Sequence, residues 1–149
     1  MISPDKAKLD EIGEAMTALA PDGWHLLVLE ATGAGDMARG ELFAIMNDGG
    51  PRTKIHIDPN GVIALLELRE DMYTDGIGTW YNATFRLPAG GKIAAEFDYH
   101  SPPYGGIATD DPASDGEADP GVLLKDQKLY PRDEGHLPAW HPARTITSI

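Results

Sequence analysis

The chain contains no cysteine. That absence excludes disulfide staples, thiol nucleophiles and Cys-ligated zinc, and it agrees with a reducing cytoplasm. Long apolar runs are missing too. The longest, Leu26–Leu29 and Val62–Leu66, fall far short of the roughly 20 residues a membrane-spanning helix needs. The opening residues MISPDKAKLDE carry three acids and no apolar stretch, so they predict no export signal and a cytoplasmic protein. Basic residues are scarce: 12 Lys and Arg stand against 24 Asp and Glu, a formal net charge of −12. Such a surface repels nucleic-acid phosphates and anionic lipids and attracts basic partners.

Catalytic signatures are also lacking. The four serines, Ser3, Ser101, Ser114 and Ser148, sit in no GxSxG elbow. The five histidines, His25, His56, His100, His136 and His141, show neither HExxH nor His-x3-His spacing, so neither a metal nor a cofactor is expected. Gly33–Gly40 is glycine-rich but lacks GxGxxG spacing and a Walker lysine, and it lies between two strands rather than before a helix. It reads as a hairpin loop.

What remains is a chain of 149 residues, enough for one domain with a real core. Ser3-Pro4-Asp5 reads as a helix start, with Ser3 as cap, and Leu9, Ile12, Met16 and Leu19 recur at helical spacing before Pro21-Asp22-Gly23 stops them. Trp24–Ala31, Gly40–Met46 and Thr53–Ile57 read as strands, with Thr32–Arg39 as the turn-rich link between the first two. Asp58-Pro59 repeats the cap-and-proline signal, and Val62, Leu65, Leu66, Met72 and Tyr73 make a second helical stripe. Thr79–Leu87 and Lys92–Tyr99 read as two strands joined by Pro88-Ala89-Gly90-Gly91.

The order α-β-β-β-α-β-β-tail predicts an α+β fold with an antiparallel sheet. The predicted core is Leu9, Ile12, Met16, Leu27, Leu29, Phe43, Ile45, Leu65, Leu66, Phe85 and Phe97. Residues 1–103 are expected to form the domain. Seven of the twelve prolines lie in residues 101–149, and residues 104–149 are expected to form an acidic, Pro-rich tail docked on the domain through Trp140.

Candidate functional residues concentrate near the last strand. Glu96 and Asp98 are two apart and share one face, the spacing of paired carboxylates in glycosidases or metal sites and equally that of a polar protein-contact face. Trp80 reads as core or sheet-edge packing or, if exposed beside acids, as a binding hot spot, and Tyr99 adjoins the pair. Asp110, Asp111, Asp115, Glu117 and Asp119 crowd one window with no base between them. These nine residues form the expected binding surface. Binding is expected rather than catalysis. The alternative is a small-ligand-binding protein or an enzyme that uses the Glu96/Asp98 face.

Pro21-Asp22-Gly23-Trp24 opens a strand, a return strand follows a glycine turn, and a helix begins near Asp58. Thr79-Trp80-Tyr81-Asn82-Ala83-Thr84-Phe85 is followed by Gly91-Lys92 and Glu96-Phe97-Asp98-Tyr99. Over about residues 5–100 this pattern resembles the YezG-like immunity family of polymorphic toxin systems. The resemblance implies a small intracellular antitoxin that binds and blocks a cognate secreted toxin domain, such as a nuclease or an NAD-degrading enzyme, without catalysis of its own. The Pro-rich acidic tail departs from the family's short ends. An acidic inhibitor of this kind would suit a toxin with a basic surface.

Overall fold

The computed structural model describes residues 3–103 and 120–147. They form an α+β fold with a five-stranded antiparallel sheet of order β3-β2-β1-β4-β5. Helix α1 spans Lys6–Thr17 and α2 spans Pro59–Asp71; the strands are β1 Trp24–Ala34, β2 Met37–Met46, β3 Thr53–Ile55, β4 Asn82–Pro88 and β5 Ala94–Asp98. The two helices pack on each other and on one face of the sheet.

Both helices start on an aspartate. Asp58 caps α2 by accepting the Asn60 N–H at 3.0 Å, with Pro59 in the first turn, where its missing N–H costs nothing. The cap of α1 is Asp5, not Ser3. The helix begins only after Pro4, and the Asp5 carboxylate takes the Ala7 N–H at 3.2 Å. The expected eight-residue link Thr32–Arg39 is mostly ladder. Thr32↔Arg39, Gly33↔Ala38 and Ala34↔Met37 all pair, so only Gly35-Asp36 is left to turn the hairpin.

Alternation along each strand decides which residues reach the core. Leu27, Leu29 and Ala31 of β1, Leu42 and Ala44 of β2, and Ala83 and Phe85 of β4 face the helices. They meet Ile12 and Met16 from α1 and Ala64, Leu65 and Leu68 from α2. The expected core members Phe43 and Ile45 are the exception. The register pairs Leu29 with Leu42 and Val28 with Phe43, which places Phe43 and Ile45 on the face opposite α1 and α2. A one-residue difference in parity moves every side chain of a strand across the sheet. Leu66 is likewise only half-buried, while its neighbours Leu65 and Leu68 are fully buried.

Beyond the sheet, α3 spans Pro120–Leu129, a single 3-10 turn covers Glu134–His136, and α4 spans Pro142–Thr147. Leu123 packs with Ala34 and Tyr81 in a second, smaller apolar cluster, and Val122 and Trp140 close over it. Asp110, Asp111, Asp115, Glu117 and Asp119 lie outside the described residues. Among the described residues, no helix is long and apolar enough to cross a membrane.

Candidate functional site

The acids and aromatics near β5 do not form one surface. Strand alternation sends them to opposite faces. Glu96 and Asp98 lie on the open face of the sheet, opposite Thr84 and Asn82 of β4. Phe97 and Tyr99 point the other way, into the core with Trp80. Trp80 is 0% exposed and packs on Phe97 with ring centroids 5.8 Å apart; Tyr99 is 4% exposed. Neither ring is available to a partner, and both work as core side chains.

The two carboxylates also have separate tasks. Glu96 is a solvated surface acid, 3.3 Å from Arg86. Asp98 Oδ1 accepts the backbone N–H groups of His100 at 2.8 Å and Ser101 at 3.0 Å, which fixes the turn that leaves β5. Burial works against the charged form of Asp98, but those N–H donors outweigh it and hold the carboxyl below its usual range. An anion so engaged is a poor proton acceptor. Among the described residues, no group of three His, Asp or Glu side chains is placed to hold a metal ion.

A second constellation joins the C-terminal segment to the sheet. Arg69 of α2 and Asp126 of α3 are 1% and 2% exposed, and their side chains meet at 2.9 Å. Asp126 Oδ1 also accepts the Gly35 N–H at 2.7 Å, while Arg69 Nε donates to the Trp80 carbonyl at 2.7 Å. Arg132 repeats the device. It donates to the carbonyls of Tyr99 at 2.8 Å and Thr79 at 2.6 Å, and its guanidinium lies over the Tyr81 ring at 4.3 Å. Two glycines leave room for these arginines. A Cβ on Gly33 would come within 2.6 Å of Arg69 Cδ. One on Gly78, which also has φ +89°, would come within 2.6 Å of Arg132 Cγ. Trp140 completes the contact by donating its indole N–H to the His100 carbonyl at 2.7 Å.

Burial raises the Tyr81 phenol to about 12 against the pull of Arg132, and burial lowers the His141 imidazole despite nearby Asp126. Arg69 Nη2 and the hydroxyls of Tyr81 and Tyr99 are buried without a hydrogen-bond partner among the described residues. Each such group costs about 1–3 kcal/mol. Against that cost, the Arg69–Asp126 pair and the bonds of Asp126, Arg132 and Trp140 to the backbone act as a polar clasp that fixes residues 120–144 to the end of the sheet.

Sequence reasoning passed over this clasp, although a signal was present. Arg69 stands four residues after Leu65 and three before Met72, inside the apolar stripe of its own helix. A charge at such a position has to be buried and paired.

Charge is distributed unevenly between the two broad faces. On the open sheet face the bases Arg39, Arg52, Lys54 and Arg86 are balanced by the acids Glu30, Glu41, Glu96 and Asp98. Three cross-strand pairs, Arg52–Glu30, Lys54–Glu41 and Arg86–Glu96, link six of these residues. The helix layer is different. Asp10, Glu11 and Glu14 of α1 and Glu67, Glu70 and Asp71 of α2 are exposed, with the caps Asp5 and Asp58 beside them; Lys6, Lys8 and, across the groove beside α1, Lys92 oppose them. Lys8 bridges Glu11 at 3.0 Å and Glu67 at 3.2 Å.

Two grooves flank α1. One, of about 490 Å³, runs between α1 and α2. The other, of about 680 Å³, lies between α1 and the β4–β5 turn, and Glu14 lines both. Neither groove includes Glu96 or Asp98. Comparison of the chain with protein-family models and with curated proteins finds no match.

Proposed function

We propose that this chain is an immunity protein, which binds a cognate secreted toxin domain with a basic surface and blocks it inside the cytoplasm. The observation that carries this reading is the separation of charge. The helix layer presents an excess of carboxylates over bases, while the other broad face is balanced. A protein that must intercept a basic toxin benefits from a one-signed face, because the field steers the encounter and raises the association rate. The resemblance over residues 5–100 supplies the toxin classes, a nuclease or an NAD-degrading enzyme. A nuclease fits the charge argument well, because enzymes that act on polyanions carry basic sites.

The competing reading, a ligand pocket or catalytic pair at Glu96 and Asp98, finds little support in their geometry. Glu96 points to solvent beside Arg86, and Asp98 is occupied by two backbone N–H groups.

The test is co-expression with the toxin domain encoded by the neighbouring gene. Growth should be restored, the two proteins should co-purify, and the purified chain should turn over none of the toxin's substrates. The association rate should also fall as salt rises, since the Debye length shrinks from about 30 Å at 0.01 M to about 10 Å at 0.1 M. Continued growth arrest in the presence of folded protein would sink the proposal.

A further inference from the structure

The groove between α1 and α2 has the features of a docking site for a basic, amphipathic segment. The helices come close at one point, where Gly61 of α2 lies on Ala15 of α1; a Cβ on Gly61 would come within 2.9 Å of the Ala15 Cβ. From that contact the groove opens toward solvent. Small apolar side chains, Ala15 and Ala18, line it on the α1 side. On the α2 side stands Ile63, which is 55% exposed even though it belongs to a helix that buries Leu65 and Leu68 completely. Glu11, Glu14 and Glu67 form the rim.

Lys8 reaches Glu11 and Glu67 but not Glu14. The rim thus keeps a negative excess. A small organic ligand gains little from such a site, because its walls are two open helix flanks and its charged groups are solvated. A polypeptide gains more. It can lay an aliphatic side chain on Ala18 and Ile63 while lysine or arginine heads reach the rim.

We infer that this groove receives a lysine- or arginine-rich segment of the protein partner, with Ile63 as the apolar anchor and Glu14 and Glu67 as the charged contacts. The inference rests on the immunity reading for the partner's identity. It also moves the contact surface away from the β5 residues. The open sheet face lacks the required asymmetry, since it carries as many bases as acids and three of its four acids pair with Arg52, Lys54 and Arg86, whereas Lys8 alone opposes the four acids that line the groove.

The test does not need the toxin. Nitrogen-15-labelled protein is titrated with a 16-residue peptide of lysine and leucine at helical spacing, and in parallel with its counterpart carrying glutamate for lysine. Amide shift changes should centre on Ala15, Ala18 and Ile63 with the basic peptide, and the acidic one should leave the spectrum unchanged. The double variant Glu14→Gln/Glu67→Gln should weaken binding about fourfold, since exposed ion pairs are each worth about a factor of two. Ile63→Ser should weaken it as well, at low and high salt alike. Glu41→Gln/Glu96→Gln on the sheet face should change nothing. All these side chains are solvent-exposed or half-exposed, and circular dichroism verifies that each variant folds.

Shifts centred on the sheet face or on residues 120–147, an affinity indifferent to Glu14 and Glu67, or no binding at all would each overturn the inference. Any of these would leave the immunity proposal standing on its own growth test. Conversely, a failed rescue of growth would leave a positive peptide result in place.

Discussion

Removing Asp126 tests whether the polar clasp holds the C-terminal segment. Asp126→Ala leaves the buried Arg69 guanidinium without its carboxylate and the Gly35 N–H without its acceptor. Breaking one side of a buried ion pair costs about 3–5 kcal/mol, because an uncompensated charge stays in the interior. With a denaturant slope of about 4 kcal/mol per molar in guanidinium, the unfolding midpoint should fall by about 1 M. Asp126→Asn should cost less, since its amide oxygen can still accept from Gly35.

The decisive measurement is the double-mutant cycle. Arg69→Met alone strands Asp126 and the Trp80 carbonyl. Arg69→Met/Asp126→Ala removes both charges together, and its cost should fall short of the sum of the single variants by about 2–3 kcal/mol. Chemical denaturation followed by far-ultraviolet circular dichroism and by tryptophan fluorescence reads all four proteins. Additive costs would show that the two residues are not coupled, and the account of the clasp would then fail.

Two further outcomes follow from the same structure. His141 is buried with its pKa below the ordinary value near 6.5, so the unfolded chain takes up a proton first as pH falls; stability should therefore be full above about pH 6.5 and drop by up to about 1.4 kcal/mol per pH unit below it, until the folded-state pKa is passed. His141→Asn should flatten that part of a pH series of denaturant melts, and an unchanged slope would count against this assignment. Leu42→Ala, on the helix side of β2, should cost about 2–5 kcal/mol, whereas Phe43→Ala on the open face should cost distinctly less despite the larger side chain; the opposite ranking in thermal or chemical melts would reject the register.

Much of the fold could be read from local chemistry. The helix stripes, the Asp58-Pro59 start and the glycine turns are signals of one segment, so they survive folding. Parity of β2 is another matter. Leu42 and Ala44 on one side compete with Phe43 and Ile45 on the other, and both sets are apolar. The larger pair looks like the better core, yet the helix layer requires small side chains on that strand. Gly40 lies directly beneath Leu65, and Leu29 approaches it still more closely. That constraint is tertiary and has no trace within the strand.

The acids and aromatics of β5 are divided for a related reason. Alternation puts Glu96 and Asp98 on one side and Phe97 and Tyr99 on the other, a consequence of strand geometry that adjacency in sequence conceals. Asp126 was the hardest of all to see. Its partner Arg69 is 57 residues away, and a lone aspartate in a short helix gives no hint of burial.

The placement of charge follows from how each layer achieves stability. Across the open sheet face, opposite charges on neighbouring strands stabilise the pairing, while like charges directly opposite would weaken it. Glu30 opposite Glu41 is such a like pair, and Arg52 and Lys54 each neutralise one member. Bases are therefore required on that face by the fold itself. On the helix layer, the solvent side of α1 and α2 meets no neighbouring strand, and like charges there cost only tenths of a kcal/mol per pair. The fold tolerates acids on that side at little cost, so an acidic excess can gather there, where the proposed function would use it. Such a field acts mainly on the rate of encounter, whereas the lifetime of a complex depends on buried apolar contacts. A surface meant for tight inhibition needs both elements close together. Among the described residues, the α1–α2 groove brings them together, with carboxylates on its rim and an exposed isoleucine between them.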